Sequence, residues 1–171
     1  MFGSKTTKLL ATVDRYRYQN KRIQAFKPGI DNRYSTSQIV THSGGKIPAM
    51  VVNSGLEILE YIKRKDIDVV AVDEAFMIEG VSEALIEIFS RGVTVVVSSL
   101  DLSANCKIFP EIEKLMCWAT KIEKCPAVCP ICGGDAYYTF KKIEDNEEIL
   151  IGGADIYEPR CWNHHPVFLG K

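Results

Sequence analysis

The stretch Asp68-Val69-Val70-Ala71-Val72-Asp73-Glu74 predicts a β-strand in an unusual environment. An unbroken apolar run of this length is typical of a strand that is buried on both faces, as in a parallel sheet. The two carboxylates that close the run would lie at the carboxyl end of the strand, where open α/β sheets bind ligands. The stretch therefore predicts a central parallel strand that ends in a candidate site.

The segments around this strand predict helices that alternate with strands. Residues 81–89 place apolar side chains at helical spacing, and the run 93–97 predicts another buried strand. Helices are also predicted over 6–20, 56–65 and 109–118, a short strand over 22–26, and a loop-rich segment over 31–53. Alternation at this spacing indicates βαβ units and a parallel sheet.

Length and charge limit the classes of function. The 171 residues suffice for one main domain with its own core, and 21 Lys and Arg against 22 Asp and Glu give a net charge of −1. General polyanion binders carry a basic excess, so this balance argues against them. The sequence has no apolar run of about 18 residues and no apolar segment after Met1, which argues against a membrane span and a signal peptide. We therefore expect a cytoplasmic protein.

All six cysteines lie in the second part of the chain, from Cys106 onward. In a reducing cytoplasm they favour metal ligands or buried thiols over disulfides. Beyond Cys125 the composition also changes, from amphipathic and apolar stretches to Gly, Cys, Tyr and short alternating segments. We predict an α/β nucleotide-binding domain over residues 1–122 and a small zinc-binding lobe, the C-terminal lobe, over 123–171.

The nucleotide prediction begins with Gly3-Ser4-Lys5-Thr6, here called the phosphate loop, which opens the first predicted helix. It matches the tail of a G-x-x-x-x-G-K-[ST] loop, with Gly and Ser exchanged before the lysine. Such a loop binds phosphate through backbone N–H groups, a lysine that reaches the β- and γ-phosphates, and a hydroxyl on Mg²⁺. The pattern is incomplete, and a tetrapeptide can also match by chance.

The Asp73-Glu74 pair strengthens the prediction of a nucleotide site. In a protein with such a loop, the acid at the strand end holds Mg²⁺, and the next carboxylate can face the acceptor hydroxyl. Two solvated acids at a strand end are the alternative, but their combination with Lys5 and Thr6 at a helix start is much less common. The sequence therefore predicts an α/β fold of the P-loop NTPase, RecA-like type, with a parallel sheet flanked by helices.

Two short-spaced pairs, Cys129-Pro130-Ile131-Cys132 and Cys161-Trp162-Asn163-His164, predict a zinc site. With 28 residues between them, they supply the four ligands that tetrahedral Zn²⁺ requires. A closed four-ligand site has no room for water, so its role would be structural. His165 is an alternative fourth ligand and Cys125 a spare one; Cys106, Cys117 and Cys125 are otherwise interpreted as free thiols.

Taken in order, the phosphate loop, the Asp-Glu strand and the late zinc site resemble the type II thymidine kinases, the cellular, zinc-containing family with phage and bacterial members. The resemblance covers nearly the whole chain. It rests on residues 1–7, 26–28, 31–35, 41–44, 73–75, 129–132, 136–139, 151–157 and 161. The segment 151–157 together with the cysteine pairs is specific to the family in this order.

The resemblance implies transfer of a phosphoryl group from ATP to the 5′-hydroxyl of thymidine, with Glu74 as the general base. It also implies Mg²⁺ around Asp73 and Thr6, and Arg33 near the phosphates. The residues implied at the ATP and Mg²⁺ site are Gly3, Ser4, Lys5, Thr6, Asp31, Asn32, Arg33 and Asp73.

The resemblance further implies a lasso, residues 133–160, that closes over the nucleoside. Backbone groups of residues 148–152 would bond the base edge, and two side chains would line the pocket. The implied substrate contacts are Thr139, Glu148, Ile149, Leu150, Ile151, Gly152 and Tyr157. The family is usually a homotetramer that is inhibited by its end product dTTP, and we expect no nucleic-acid or membrane partner.

The sequence departs from the family at four points. Phe76 stands where Gln is usual, Ala104 where an aromatic residue packs against the base, and Cys106 near a usual Arg. The family also has a strand and a Gly-Pro before the position of Met1. We expect that this start is internal to a longer protein, rather than that the chain has lost the strand, and that residues 1–171 alone bind ATP weakly.

Two other functions are compatible with parts of the sequence. One is a module that binds nucleic acid through the phosphate loop and a zinc ribbon, although no Lys/Arg stripe lies near the zinc ligands. The other is an inactive, truncated remnant that only folds or oligomerises, because half of the phosphate-binding pattern is missing.

Overall fold

The structure, a computed structural model, describes residues 2–31, 37–41, 43–63, 65–143 and 152–169. Its helices are α1 (Lys5–Tyr18), α2 (Gly55–Lys63), α3 (Val81–Ser90) and α4 (Pro110–Trp118). Its strands are β1 (Ile23–Pro28), β2 (Gln38–Val40), β3 (Lys46–Pro48), β4 (Met50–Val52), β5 (Val69–Val72), β6 (Thr94–Val97), β7 (Ala127–Val128), β8 (Asp135–Ala136), β9 (Tyr138–Lys141) and β10 (Tyr157–Arg160). Within the described ranges, no helix has the length and apolar character needed to cross a membrane.

Four strands form a parallel sheet in the order β4-β1-β5-β6. β5 lies between β1 and β6, with Val72 paired to Phe26 on one side and to Val97 on the other. All four residues of β5 are buried, as the unbroken apolar run predicts. The predicted α/β fold with a parallel sheet is confirmed, and Asp73 follows β5 at the carboxyl edge of this sheet.

Helices cover both faces of the sheet. On one face Val70 and Val72 pack with the apolar sides of α2, α3 and α4 in the larger core. On the other face Ala71 packs with Leu9 and Val13 of α1. Each fully buried aliphatic side chain contributes roughly 1.5–3 kcal/mol. The two faces together therefore hold β5, and with it Asp73, in a fixed position.

The prediction of a loop-rich segment over 31–53 is wrong. Its described part holds β2, β3 and β4: the first two form an antiparallel hairpin, and β4 is an edge strand that pairs in parallel with β1. Each of these strands has three residues and one buried side chain, which is Ile39, Ile47 or Val52. Strands this short show no recognisable two-residue alternation in the sequence.

β6 is only half-buried, which corrects the prediction of a second strand enclosed on both faces. In the part of the chain that the structure describes, β6 pairs with β5 alone, and Val97 is 36% exposed. β6 carries three consecutive valines after Thr94, nearly as many apolar residues as the four of β5. Hydrophobicity alone therefore does not distinguish an edge strand from a central one.

The C-terminal lobe contains two small antiparallel sheets. β7 pairs with β8 and β9 with β10, and two short 3₁₀ turns, Trp162–His164 and Pro166–Phe168, follow β10. The lobe has a small core of Ala127, Cys129 and Ala136. The division of the chain at residue 122 stays a prediction.

Candidate active site and metal centre

The phosphate loop lies at the N-terminus of α1, and left-handed residues bend its backbone. Phe2 and Ser4 have φ angles of 62° and 56°, and α1 begins at Lys5. The first turn of a helix has N–H groups without intrahelical partners, and together with the helix dipole they attract phosphate. Left-handed residues just before a helix can direct further N–H groups to the same anion. The geometry therefore fits phosphate binding.

Relative to the usual phosphate-loop pattern, which has glycine directly before the lysine, this loop has Gly3 and Ser4 in exchanged positions, and the structure gives a reason for this order. A Cβ atom on Gly3 would lie 2.0 Å from the carbonyl oxygen of Cys125, so this position requires glycine. Ser4 instead takes the left-handed conformation that glycine adopts without steric cost (φ 56°, ψ 23°). An ion pair between Lys8 and Glu123 joins the same two segments. Glycine therefore occupies the position that packs against Cys125, and the left-handed conformation falls on Ser4, where it is strained.

Asp73 and Thr6 are in contact, although 67 residues separate them in the sequence. The Thr6 hydroxyl lies 3.2 and 3.4 Å from the two carboxylate oxygens of Asp73, to which it donates. The Asp73 N–H donates to the Phe26 carbonyl at 3.0 Å, which fixes the carboxyl group at the end of β5. A carboxylate and a hydroxyl beside a phosphate loop are oxygen ligands of the kind that Mg²⁺ prefers.

The Asp73 side chain is buried, with 7% of the residue exposed, and its ionised form is disfavoured. Burial, and then the neighbouring Glu74 carboxylate, raise the pKa of Asp73 from 3.8 to about 6, against smaller opposing effects of Ser98, Thr6 and Lys5. A divalent cation at this point would offset the lost hydration of the carboxylate. The donor set therefore fits an ion such as Mg²⁺.

Ser98 also belongs to this site, although no sequence motif identifies it. It follows β6, and its N–H donates to the Val72 carbonyl at 2.8 Å. Its buried hydroxyl faces Asp73 and favours the charged carboxylate, although the two groups do not reach full hydrogen-bond geometry. The available signal is that Ser98 is the first polar residue after the apolar run 93–97, at the sheet edge where β5 also ends.

Glu74 follows Asp73 in a strained backbone conformation. Its φ of 48° and ψ of 45° are left-handed, which costs a non-glycine residue on the order of 1–3 kcal/mol and is found most often at functional sites. The turn at Glu74 ends β5 and opens the 3₁₀ turn Ala75–Met77. Glu74 is half-buried whereas Asp73 is buried. Two adjacent carboxylates in different environments can divide cation binding and proton transfer between them.

Asp31 lies at the same edge of the sheet, three residues after the end of β1. It is buried, and its N–H donates to the Pro28 carbonyl at 3.2 Å. Six other predicted site residues lie outside the described residues, and these are Asn32, Arg33, Glu148, Ile149, Leu150 and Ile151.

The predicted nucleoside contacts Thr139 and Tyr157 lie on paired strands of the C-terminal lobe. Thr139 pairs with Pro159 in the β9–β10 ladder. Residues two apart on a strand share a face, so Tyr157 lies on the same face as Thr139. Gly152 packs closely on Ile156, whose Cδ1 atom would lie 2.4 Å from a Cβ at that position. The structure thus places the side chains of Thr139 and Tyr157 on a common face of the β9–β10 sheet.

The four predicted zinc ligands lie together. The Sγ atoms of Cys129, Cys132 and Cys161 and a ring nitrogen of His164 are all within 4.8 Å of one another. The Cys132 and Cys161 Sγ atoms are 3.7 Å apart, and the Cys161 Sγ lies 3.1 Å from the His164 Nδ1. Zn–S bonds of about 2.3 Å in a tetrahedron place two sulfur atoms about 3.8 Å apart. The donor set and its spacing therefore fit Zn²⁺.

Tight turns present these ligands. The N–H of Cys129 donates to the Gly134 carbonyl, and that of Gly133 to the Cys129 carbonyl, both at 2.8 Å. Gly133 is left-handed, with φ 74°, a conformation that glycine adopts readily. Burial raises the pKa of the Cys129 thiol, but surrounding N–H groups outweigh it and lower the value to about 6. They favour the thiolate, which is the form that binds metal.

The remaining cysteines and His165 lie outside this cluster. Cys106, Cys117 and Cys125 are free thiols. His165, the alternative fourth ligand, is buried, and its Nε2 atom lies 3.1 Å from the Thr139 carbonyl oxygen. The structure therefore directs His165 towards β9 and His164 towards the cluster.

Known proteins resemble this chain over most of its length. A family model described as Thymidine kinase matches residues 1–165, a range that includes the phosphate loop, the Asp73-Glu74 pair and the four cluster residues. The chain is also similar to a thymidine kinase of Mycoplasma mycoides subsp. mycoides SC. The two are 35% identical over 174 residues, which cover 95% of this chain and 83% of the relative.

The packing of Gly3 on Cys125 predicts opposite outcomes for two neighbouring substitutions. Gly3→Ala should lower stability by about 1–3 kcal/mol, the usual cost of overpacking, and weaken ATP binding, because the new methyl group would meet a backbone carbonyl. Ser4→Gly, the matched control, relieves the left-handed strain and should bind ATP at least as tightly as the wild type. Urea unfolding and calorimetry with a non-hydrolysable ATP analogue would measure both; equal behaviour of the two variants would contradict this packing.

The raised pKa of Asp73 predicts that Asp73→Asn stabilises the nucleotide-free protein. In the wild type the folded state holds a carboxyl whose pKa is about 6 rather than 3.8. Stability should therefore fall as the pH rises from about 4 to 6, with a full cost on the order of 1–3 kcal/mol at pH 7. Thermal unfolding at pH 5 and pH 7 would show the advantage of Asp73→Asn growing with pH. The exposed Asp135→Asn should show no such trend, and a destabilised Asp73→Asn at pH 7 would count against the argument.

Proposed function

The chain belongs to the thymidine kinase family, and from this premise we propose that it transfers the γ-phosphate of ATP to the 5′-hydroxyl of thymidine. The contact of Thr6 with Asp73, next to Glu74, is the observation that carries the proposal. It joins a phosphate loop, a pair of oxygen donors and a second carboxylate at one edge of the sheet. Phosphoryl transfer depends mainly on positioning and electrostatic stabilisation, which these groups can supply.

The phosphate loop and α1 would hold the β- and γ-phosphates of ATP. Backbone N–H groups and the Lys5 ammonium would bind the phosphate oxygens. Thr6 and Asp73 would hold Mg²⁺, which when bound neutralises charge on the transferring phosphoryl group. The ATP side of the proposed site is completed by Asp31, Asn32 and Arg33.

Glu74 is the proposed general base. Its carboxylate would accept the proton of the 5′-hydroxyl as that oxygen attacks the γ-phosphorus. Its place directly after Asp73, at the sheet edge that also holds the proposed Mg²⁺ site, supports this role, although its Oε2 atom is buried in this structure. The deeper burial of Asp73 supports the other role, since a cation compensates for lost hydration.

The C-terminal lobe would bind the nucleoside. Thr139 and Tyr157, on a common face of β9 and β10, would line the pocket. Gly152 and the backbone of residues 148–151 would bond the base edge. Recognition by backbone groups makes few demands on the side chains of that segment.

A structural Zn²⁺ on Cys129, Cys132, Cys161 and His164 is part of the proposal. Four protein ligands leave no open position, so the ion would act by ordering the lobe. Family membership further supports a homotetramer, inhibition by dTTP and a cytoplasmic location. The net charge of −1 gives no support to the nucleic-acid-binding alternative.

Glu74→Gln should lower kcat for thymidine phosphorylation on the order of 10²–10⁴, because the amide cannot accept the proton. Thymidine affinity, measured by calorimetry, should be largely kept. Glu79→Gln, which changes an exposed glutamate five residues away, is the matched control and should keep the wild-type kcat. An unchanged kcat in Glu74→Gln would reject the assignment.

Removal of zinc should loosen the C-terminal lobe before the α/β domain melts. We expect about one zinc per chain by elemental analysis, and chelation should abolish thymidine binding while the parallel sheet keeps its circular dichroism. Cys132→Ser should reproduce the loss, whereas Cys117→Ser, at an exposed cysteine outside the cluster, should bind zinc normally. A protein without stoichiometric zinc, or equal zinc loss in both variants, would refute the proposed metal centre.

A further inference from the structure

His165 is a fully buried histidine that neither the zinc cluster nor the proposed phosphoryl transfer uses. Only 1% of the residue is exposed. Its ring lies among those of Tyr138, Phe140 and Phe168, at centroid distances of 6.0, 6.3 and 5.5 Å. Polar atoms buried in such an apolar cage need hydrogen-bond partners. The partners of His165 therefore indicate what it holds in place.

Both ring nitrogens have partners, and these define one tautomer. Nε2 lies 3.1 Å from the Thr139 carbonyl oxygen, which can only accept, so Nε2 carries the hydrogen. Nδ1 accepts from the Val167 N–H at 3.4 Å and lies 3.9 Å from the Cys106 Sγ. The ring is thus oriented from both sides.

The hydrogen bond to Thr139 is made on the side of β9 that faces away from β10. The Lys142 N–H donates to the Ile156 carbonyl at 2.8 Å, and hydrogen-bonded pairs alternate along the ladder, so Thr139 and Pro159 form a non-hydrogen-bonded pair. The Thr139 carbonyl therefore points outward from the ladder, where the His165 side chain donates an N–H to it. The backbone of β9 is thereby tied to the turn that follows the cluster residue His164.

Cys106 connects the same histidine to the α/β domain. It has a left-handed backbone, with φ 57°, which non-glycine residues rarely adopt. The turn is held by the Cys106 N–H, which donates to the Ser103 carbonyl at 3.0 Å, and by hydrogen bonds of 2.8 and 3.2 Å between Ser103 and Lys107. This turn lies on the loop that leaves β6 after Ser98. At His165, therefore, the loop from the candidate Mg²⁺ site meets the strand that carries Thr139.

We propose that His165 is a positioning residue for the nucleoside, which holds the Thr139 backbone in β9 at a fixed place relative to the loop that leaves β6. The inference rests on the proposed function, in which Thr139 lines the nucleoside pocket. Without the contact, β9 would lose its anchor and bind thymidine less well. The phosphate loop, which His165 does not touch, would bind ATP and ADP as before.

Two substitutions at His165 separate hydrogen bonding from packing. His165→Phe keeps an aromatic ring in the cage but removes the donor to Thr139, whereas His165→Gln keeps a side-chain N–H. In the zinc-loaded full chain, His165→Phe should raise the Kd and KM for thymidine at least tenfold. The kcat at saturating thymidine and the Kd for ADP should stay within twofold of the wild type. His165→Gln should bring the thymidine Kd back to within threefold, and both variants should retain one zinc.

A second pair of variants tests the thiol. Cys106→Ala should weaken thymidine binding two- to fivefold, because a thiol is a weaker partner of the ring than the Thr139 carbonyl. Cys117→Ala removes an exposed thiol outside the site and should change nothing. Equal effects of the two cysteine variants would contradict the role given to Cys106.

Hydrogen exchange of the β9 amides, residues 138–141, gives a readout that is independent of catalysis. Faster exchange in His165→Phe, but not in His165→Gln, would support the positioning contact, whether or not the wild type binds thymidine. A wild type that binds no thymidine would refute the proposed function but not this contact. The inference is overturned if β9 exchange is unchanged in His165→Phe. It is also overturned if this variant binds thymidine normally, loses thymidine and ADP affinity equally, or loses zinc.

Discussion

The carboxyl group of Asp73 is buried at the end of a strand that is itself enclosed on both faces, and much of the molecule follows from this placement. β1 and β6 fix β5 from its sides, and the two cores fix it from its faces. A carboxylate held there has lost most of its water, so hydroxyl groups and a cation must supply what water no longer does. The nucleotide-free protein therefore carries an electrostatic cost at the point where an ion is to bind, which is a common trade of stability for activity.

The C-terminal lobe obtains its order by another route. Among its described residues the buried core consists of Ala127, Cys129 and Ala136, and beside it the rings of Tyr138, Phe140 and Phe168 surround His165. A metal ion at the cluster would add to this limited apolar burial. A cluster of three thiols and one imidazole fits a softer ion than the oxygen donors at Asp73 do, so the two sites would not compete for the same metal. The turn after His164 connects the cluster to β9, because His165 donates to the Thr139 carbonyl.

Parts of this architecture can be predicted from sequence because burial leaves a pattern in the residues themselves. The apolar run 69–72 and the helical spacing of apolar residues in 81–89 are enough to predict a parallel α/β sheet. The motifs around Thr6 and Asp73 and the spacing of the Cys-His pairs are enough to predict the residues of both candidate sites. The strands within 31–53 leave no pattern because each buries a single side chain. The only local signal for Ser98 is its place after an apolar run, and the sequence gives none for the contact of His165 with β9, because both roles depend on neighbours that only the fold supplies. Ser98 matters because β6 lies beside β5, and His165 because the Thr139 carbonyl points away from β10 and towards its ring.

The parallel strand order also has a consequence for the time course of folding. Ile23 pairs with Val69, 46 residues further along, so the sheet needs contacts between distant segments and closes slowly. The cluster residues all lie between 129 and 164, and a metal ion can gather them as a local unit. Ordering of the two parts would therefore be governed by different quantities: that of the sheet by the entropy of closing long loops, and that of the lobe, once it binds zinc as proposed, by the supply of zinc. Where zinc is scarce, chains would accumulate with a finished sheet and an open C-terminal lobe, a form that proteases can cut.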